Sequence, residues 1–305
     1  MMTNLANILI WLLTIVTPAS ATFYASGPWL GINACAGEFR LPNNPDVEII
    51  VNTSPSPDLE AKSYVVLTDK GHIWLAEKEA NTSQAIASIT KLMTALVFLD
   101  HNPGWETEYK IKREDVISGG KIHLFLGDTI KLKDLFAATL IASDNGASIS
   151  LARSTGLTDE EFITKMNEKA KDLGLMKANF VDPVGLGDGN YASAKDIARL
   201  AQMAFSQPDI SREILKAEYN FVTGEGKKKY LHSTDSLLAS NHFEQFESLG
   251  GKTGYTEAAG YSFVGRFKNK DNRVLIIVVL DAGGKLERFE QAEILADWAF
   301  KNCKW

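Results

Sequence analysis

A serine and a lysine three residues apart, Ser88 and Lys91, have the types and the spacing for nucleophilic chemistry. Apolar residues recur at three-and-four spacing through "AIASITKLMTALVFLD" (residues 85–100), which predicts an α-helix that begins at Ser88 as its N-cap. Residues i and i+3 of a helix are neighbours, so the lysine amine can reach the serine hydroxyl. The positive helix end, partial burial and a nearby cation would disfavour the ammonium form, and a neutral amine can take the serine proton.

Two further triplets supply groups that would complete such a site. They are Ser143-Asp144-Asn145 and Lys252-Thr253-Gly254. Ser143 is expected in a turn facing the nucleophile, where it relays a proton to a leaving amine, while the amide of Asn145 fixes a substrate carbonyl. Lys252 and Thr253 are expected on an edge strand, where a peptide can add alongside and present its terminal carboxylate to the cation.

The backbone N–H groups of Ser88 and Tyr255 are the predicted oxyanion donors. Each triplet alone is common as a helix cap, a surface turn or the end of a strand. The three together, in this order, are the set found in penicillin-binding proteins and class A β-lactamases.

Other kinds of site lack support in the sequence. The five histidines show no H-x-x-x-H spacing and there are only two cysteines, so we expect no metal site and no cofactor. There is no G-x-S-x-G motif, and the "GGKTG" run has Phe246 where a phosphate-binding loop needs glycine. A net charge of −6 gives no basic footprint, so we expect no nucleic-acid partner.

The elements that must position these groups follow from the hydrophobic pattern. The segment "SYVVLTDKGHIWLAE" (63–77) predicts two strands joined by a turn at Asp69 to Gly71. Helical periodicity then continues from Ser88 to about Lys216. The last part predicts three strands and a helix, in "GGKTGYT" (250–256), "YSFVGRFKN" (261–269), "RVLIIVVLDA" (273–282) and "ERFEQAEILADWAFK" (287–301).

This order predicts an α/β fold of the α+β type. We expect a five-stranded antiparallel sheet, completed by both ends of the domain and flanked by helices, with an inserted all-helical subdomain over about residues 86–216. The catalytic domain would span residues 61–305, with the site where the sheet and the insertion meet.

The N-terminal residues predict export to the periplasm or the exterior. Residues 1–21 contain an apolar run and end on Ala19-Ser20-Ala21, the small-x-small pattern of a signal peptidase site. The segment has no Lys or Arg before the apolar run, so an uncleaved anchor remains the alternative and the only expected membrane contact. Residues 22–60 predict an exposed lead-in, and Cys35 and Cys303 either pair in the oxidising compartment or stay as separate thiols.

Over roughly residues 60–302 the chain resembles the D-alanyl-D-alanine carboxypeptidase family, the low-molecular-mass penicillin-binding proteins. The similar segments are "ASITKLMTALV" (87–97), "MNEKAKDLGLMKANFVDPVGL" (166–186) and "LGGKTGYTEAAGYSFVG" (249–265). The resemblance implies that Ser88 attacks the penultimate D-alanine carbonyl of a peptidoglycan stem peptide ending in D-Ala-D-Ala, and that Arg288 helps to hold the terminal carboxylate. It also implies that β-lactams acylate the same serine, and it leaves endopeptidase action on cross-links open.

Two alternatives share these motifs. A class A-like β-lactamase needs a carboxylate that activates the deacylating water, and the stretch "LMKANFVDPVGL" (175–186), where that carboxylate and its E-x-x-L-N setting are expected, lacks it. A catalytically silent protein that binds the wall or β-lactams is disfavoured because every catalytic position is filled.

Overall fold

The computed structural model describes residues 54–117, 123–187, 189–239 and 244–305. Its strands are β1 (Ser63–Thr68), β2 (Trp74–Lys78), β3 (Gln84–Ala85), β4 (Glu108–Lys110), β5 (Thr129–Lys131), β6 (Tyr191–Ala192), β7 (Glu218–Val222), β8 (Lys228–His232), β9 (Phe246–Thr256), β10 (Gly260–Asn269) and β11 (Val274–Leu280). Its α-helices are α1 (Lys91–Asp100), α2 (Leu132–Leu140), α3 (Asn145–Arg153), α4 (Asp159–Asp172), α5 (Ala194–Ser206), α6 (Pro208–Ile214) and α7 (Glu287–Asn302).

A five-stranded antiparallel sheet with the order β2-β1-β11-β10-β9 supports the fold, which confirms the predicted fold class. The central strand β11 is apolar throughout because both faces of the sheet are covered. Ile276 and Val278 pack into the core shared with the helical insertion, whereas Ile277 and Val279 pack against α7. Successive side chains of a strand point to opposite faces, so one apolar run serves two cores.

Helix α1 is the centre of the insertion. The sequence predicted one buried stripe, but every residue from Lys91 to Phe98 is buried, because α2, α3, α4 and α5 surround the helix. A helix enclosed on all sides is apolar on all sides. Lys91 is the charged exception in this run.

The insertion contains short ribbons as well as helices, so its all-helical description is wrong in detail. Strands β3 and β6 pair, as do β4 and β5, and the ribbon of β7 and β8 follows α6. Strands of two or three residues are too short to show an alternating pattern. Their pairing depends on contacts distant in sequence.

The N-terminal predictions lie outside the described residues. These are the signal peptide over residues 1–21, the lead-in as far as residue 53, and Cys35, so its pairing with Cys303 stays a prediction. Residues 54–60 form neither helix nor strand before β1. Within the described ranges, no helix has the length and apolar character needed to cross a bilayer.

Candidate active site

Ser88 lies in a 3-10 turn, Ala87–Thr90, and does not cap α1 as predicted. The helix begins at Lys91, and the residue before it, Thr90, makes no side-chain capping bond. The turn starts at Ala87, whose φ of 47° is in the left-handed region. Residues i and i+3 lie on the same side of a 3-10 turn, so Ser88 and Lys91 are still close together, as predicted. The Ser88 hydroxyl, however, is not used for capping.

Two glycines press on this turn. A Cβ at Gly185 would lie 1.9 Å from the carbonyl oxygen of Ala87, and Gly185 itself has a φ of 85°. A Cβ at Gly254 would lie 2.7 Å from the carbonyl oxygen of Ile86 and 3.4 Å from the Cβ of Ala87. Only glycine allows these approaches, so the loop containing Gly185 and strand β9 together fix the backbone that carries Ser88.

The Lys91 amine is fully buried and donates to three oxygens. These are Ser88 Oγ at 2.8 Å, Asn145 Oδ1 at 2.7 Å and the carbonyl of Val184 at 2.9 Å. Burial lowers the pKa of Lys91 from 10.5 to about 7, although the anionic Asp144 and Asp182 oppose the shift. Near neutral pH a large fraction of the amine is therefore uncharged and next to a hydroxyl.

The Ser143-Asp144-Asn145 turn places its two outer residues toward Lys252 and Lys91. Ser143 adopts a left-handed φ of 57°, and Asp144 caps α3 by accepting from the backbone N–H of Ala147 at 2.8 Å. Asn145 is thereby the first residue of the helix, with its oxygen at the Lys91 amine. Asp144 thus has a structural role between two residues that face the site.

Lys252 lies on β9, which is an edge strand as predicted. Its buried amine donates to Ser143 Oγ at 2.7 Å and to the carbonyl of Thr253 at 3.0 Å. Burial, and then the positive charges of Lys91 and Arg288, hold the pKa of Lys252 well below its usual value, whereas Asp235 favours the charged form.

The remaining predicted residues lie along the same strand and its neighbours. Thr253 donates to Thr234 Oγ1 at 2.7 Å. Tyr255 is half exposed and stacks on Tyr261 with ring centroids 4.2 Å apart. Within the described sheet, strand β9 pairs with β10 on one side and has no strand on its other side.

Arg288, in the first turn of α7, is buried and donates through Nη1 to the carbonyl of Gly254 at 3.3 Å. Burial lowers the pKa of its guanidinium to about 10, against the favourable charge of Asp235. Its Nε is buried and has no hydrogen-bond partner within the described ranges. Lys252 and Arg288 therefore each donate to a backbone carbonyl of the strand, at Thr253 and at Gly254.

The loop around Asp182 was not among the predicted site residues. Asp182 accepts from the backbone N–H groups of Val184 at 2.7 Å and Gly185 at 2.6 Å, and Asn190 donates to the Asp182 carbonyl at 2.9 Å. This network fixes the Val184 carbonyl that receives Lys91. A signal was present, because a long connection between two helices rich in Gly, Asp and Asn favours local side-chain to backbone bonds.

Two other groups were missed. His123 Nδ1 lies 3.0 Å from Asp144 Oδ2, and the His123 backbone N–H donates to the same oxygen at 2.9 Å. Thr234 and Asp235 approach the Lys-Thr-Gly strand from the segment after β8. Neither belongs to a recognisable motif, so only the fold reveals them.

The arrangement suits acyl transfer through a serine. A nucleophile contacts a base of low pKa, a second serine contacts a cation, and both hydroxyl-bearing residues remain partly exposed. In the described part of the chain, no group of three or more His, Cys, Asp or Glu side chains forms a candidate metal site.

Comparison with known proteins gives the same assignment. A family model described as D-alanyl-D-alanine carboxypeptidase matches residues 50–284. A D-alanyl-D-alanine endopeptidase of Haemophilus influenzae is 37% identical over 224 residues, which are 72% of this chain and 74% of that protein. The D-alanyl-D-alanine carboxypeptidase DacF of Bacillus subtilis is 34% identical over 80% of this chain, but the match covers 63% of DacF.

Solved structures agree on the fold. A D-alanyl-D-alanine carboxypeptidase from Mycobacterium tuberculosis superimposes with a TM-score of 0.75 at 27% identity, over 84% of this chain and 96% of that one. The Streptomyces K15 DD-transpeptidase, at 24% identity, shares the fold with a TM-score of 0.75 over 81% of this chain and all of its own. The chain therefore belongs to the D-alanyl-D-alanine carboxypeptidase family of serine DD-peptidases, and the resemblance found in its sequence is confirmed.

Proposed function

We propose that this DD-peptidase uses Ser88 as its nucleophile and Lys91 as the base that activates it, acting on peptidoglycan stem peptides that end in D-Ala-D-Ala. The observation that carries the proposal is the Lys91 amine, which is buried, has a pKa of about 7 and lies 2.8 Å from the Ser88 hydroxyl. An uncharged amine at that distance can accept the hydroxyl proton as the oxygen attacks.

In the acylation step, Ser88 Oγ forms a bond to the carbonyl carbon of the penultimate D-alanine and its proton passes to Lys91. The resulting oxyanion is held by the backbone N–H groups of Ser88 and Tyr255. The C–N bond then breaks, and the leaving amine takes a proton from Ser143, which contacts the Lys252 amine at 2.7 Å. Terminal D-alanine departs and the acyl-enzyme remains.

Before the second step, the proton that Lys91 took from Ser88 replaces the one that Ser143 gave to the leaving amine, so Lys91 is neutral again. Water then attacks the ester and Lys91 takes one of its protons. Ser88 recovers its proton when the ester bond breaks, and the shortened peptide leaves. Among the described residues, no carboxylate is hydrogen-bonded to Ser88 or Lys91. This supports the peptidase over a β-lactamase, which needs a carboxylate to activate the deacylating water, and it predicts long-lived adducts with β-lactams.

Substrate recognition would use the edge of β9. The incoming peptide lies beside Lys252 to Tyr255 and its terminal carboxylate meets Lys252, Thr253 and Arg288. We assign carboxypeptidase action first, because this group of cations suits a free carboxylate. Endopeptidase action on cross-links is the second candidate, favoured by the endopeptidase names of the Haemophilus influenzae and Escherichia coli relatives.

The setting that fits this activity is the cell wall outside the cytoplasmic membrane, reached through the N-terminal signal segment. Peptidoglycan is then the partner, and β-lactams are covalent inhibitors. No step in this scheme uses a metal or an organic cofactor.

The test combines labelling with product analysis. The wild-type protein and a Ser206→Ala control, whose exposed hydroxyl bonds only within its own helix, should be labelled by fluorescent penicillin, while Ser88→Ala should not. Purified muropeptides, digested and weighed by mass spectrometry, should lose one D-alanine with the wild type. Cleavage of cross-linked dimers alone would select the endopeptidase, rapid nitrocefin turnover would select the β-lactamase, and labelling of Ser88→Ala would refute the nucleophile.

A further inference from the structure

The three oxygens that contact the Lys91 amine differ in what they can do in a hydrogen bond. The amide oxygen of Asn145 and the carbonyl oxygen of Val184 can only accept, whereas the Ser88 hydroxyl can also donate. A neutral amine has two N–H groups and one lone pair. When its two N–H groups meet the two oxygens that only accept, the lone pair faces Ser88, which is the direction needed to receive the hydroxyl proton.

Other orientations of the neutral amine are unfavourable. With its lone pair toward Val184 or Asn145, the nitrogen would face an oxygen lone pair at 2.9 or 2.7 Å, and a buried acceptor would lose its donor. The direction of the amine therefore depends on both acceptors staying in place. The Val184 acceptor is a backbone carbonyl, so its direction is set by the peptide unit that carries it.

That peptide unit joins Lys91 to a carboxylate. The Val184 carbonyl and the Gly185 N–H belong to the same planar trans peptide unit, so they point in opposite directions. The N–H donates to Asp182 Oδ1 at 2.6 Å, and the carbonyl accepts from the Lys91 amine at 2.9 Å. Rotation of this peptide plane would break both bonds, so the carboxylate that holds one end also fixes the other.

Asp182 is itself held firmly. Its Oδ1 also accepts from the Val184 N–H at 2.7 Å, and its Oδ2 accepts from the Gly187 N–H at 2.7 Å. The buried side chain of Asn190 accepts from the Asp182 N–H at 3.2 Å and donates to the Asp182 carbonyl at 2.9 Å. The backbone carbonyl of Asn190 accepts from the Ile86 N–H at 3.2 Å, just before the turn that carries the nucleophile. The position of the carboxylate is therefore fixed relative to that turn.

We propose that Asp182 orients the base. Through the peptide unit between Val184 and Gly185 it holds the acceptor for one N–H of neutral Lys91, so that the lone pair of the amine is directed at the Ser88 hydroxyl. Asp182 is a positioning residue, because it acts on the reacting atoms through this peptide unit. The inference rests on the proposed role of Lys91 and adds the group that sets its direction.

The charge of Asp182 and its hydrogen bonds have effects that can be measured separately. The charged groups that face Lys91 are Asp144 from the turn before α3, Asp182 from this loop and Lys252 from β9. Both carboxylates favour the ammonium form and oppose the lowering of the pKa of Lys91 by burial. Removing the charge of Asp182 should therefore move the midpoint of the acylation rate to lower pH. Releasing the peptide unit should lower the rate even where the amine is fully neutral.

The experiment measures the second-order rate of acylation by a fluorescent penicillin from pH 5 to pH 9 in two variants. Asp182→Asn removes the charge but keeps an oxygen that can accept from Val184 and Gly185. It should keep most of the alkaline plateau of the wild type and reach that plateau at lower pH. Asp182→Ala removes the acceptor as well. Its plateau should fall by about 10-fold or more, because a displacement of about 1 Å in an active site can cost about 100-fold in rate, and its midpoint should not rise.

Asp196→Ala is the matched control. Asp196 is a buried aspartate at the other end of the same connection, and it accepts from the Lys177 N–H at 3.0 Å and from the Ser193 hydroxyl at 2.7 Å. Its loss removes a comparable set of hydrogen bonds without touching the peptide unit that contacts Lys91. The control should lose stability and keep the plateau, and thermal unfolding checks that each variant is folded.

Four results overturn the inference. They are a wild-type plateau in Asp182→Ala, an equal loss of plateau in Asp182→Asn, an equal loss in Asp196→Ala, and a rate in Asp182→Ala that alkaline pH restores. The last result would show that the variant changes the charge of the amine and not its direction. A wild-type rate that does not change between pH 5 and pH 9 would instead refute the proposed role of Lys91 as the base.

Discussion

Replacing Asn145 with aspartate should move the base out of its working range. The Asn145 oxygen lies 2.7 Å from the Lys91 amine, so Asn145→Asp places a negative charge in contact with that amine without changing side-chain size. An opposite charge at such a distance raises the pKa of an amine by about 1–3 units. The pKa of Lys91 should therefore rise from about 7 into the range of roughly 8–10.

The expected loss follows from the fraction of free amine. At pH 7 about half of the wild-type Lys91 is neutral, and that fraction falls by about 5- to 500-fold in Asn145→Asp for a rise of that size. The assay is the second-order rate of acylation by a fluorescent penicillin between pH 6 and pH 10. The wild-type rate should rise with pH and level off above about 7, and the variant should level off at higher pH and recover most of the lost rate.

Asn145→Ala separates charge from geometry. It removes the acceptor without adding a charge, so its rate should be low at every pH and its midpoint should not rise. Two results would contradict the reasoning: a variant rate at pH 7 equal to that of the wild type, or a lowered rate in Asn145→Asp that alkaline pH fails to restore.

Two further predictions concern the fold around the site. Gly185→Ala should lower the acylation rate more than 10-fold and destabilise the protein by about 1–3 kcal/mol in chemical denaturation, because its Cβ would meet the Ala87 carbonyl oxygen at 1.9 Å. The control is Gly156→Ala, which has a similar φ of 82° but no atom within 4 Å of the added Cβ. It measures the cost of the backbone conformation alone and should leave acylation intact. The pKa of Lys91 is about 7 in the folded protein and 10.5 in the unfolded chain, so between these pH values the unfolded chain binds one more proton. The contribution of Lys91 to the free energy of unfolding should therefore rise by about 4–5 kcal/mol from pH 7 to pH 10.5. Lys91→Met should remove that rise in urea titrations at several pH values, and an identical pH dependence in the variant would show that the amine is not desolvated.

The sequence predicted the sheet well because its signals are local. The run from Val274 to Leu280 is apolar without interruption, which is typical of a strand covered on both faces, and the turn signal at Asp69 to Gly71 joins β1 and β2 beside it. The ribbons in the insertion had no such signal. The strands of the pairs β3–β6 and β4–β5 are too short, and their partners are distant in the chain. The hairpin of β7 and β8 lies just after the predicted insertion and was not predicted either.

The three triplets were also visible in the sequence, but the contacts between them were not. The Lys91 amine meets an oxygen 54 residues later, and Lys252 meets a hydroxyl 109 residues earlier. The prediction that Ser88 caps the helix was wrong because it used local preference alone. Gly185 and Gly254 approach from distant parts of the chain and hold Ala87 in a left-handed conformation, so tertiary packing overrides the capping preference.

Asp235 and Asp182 escaped detection for a related reason. An aspartate in a polar segment is normally a solvated turn residue, and its sequence neighbours do not reveal that it becomes buried beside cations or under backbone N–H groups. Burial of a carboxylate is a property of the assembled fold.

The close approach of Gly185 and Gly254 to the backbone of Ile86 and Ala87 limits how the enzyme can adapt to ligands of different size. If the insertion and β9 were to spread apart, the contacts at Gly185 and Gly254 would open and the attacking oxygen would lose its alignment with the amine. Room for a larger ligand would therefore come from exposed side chains of the strand, such as the half-exposed Tyr255, while the backbone that carries Ser88 stays in place. Relatives that accept bulky, branched wall fragments are therefore expected to differ in such exposed side chains. Enzyme variants that resist bulky inhibitors should carry their first substitutions there as well.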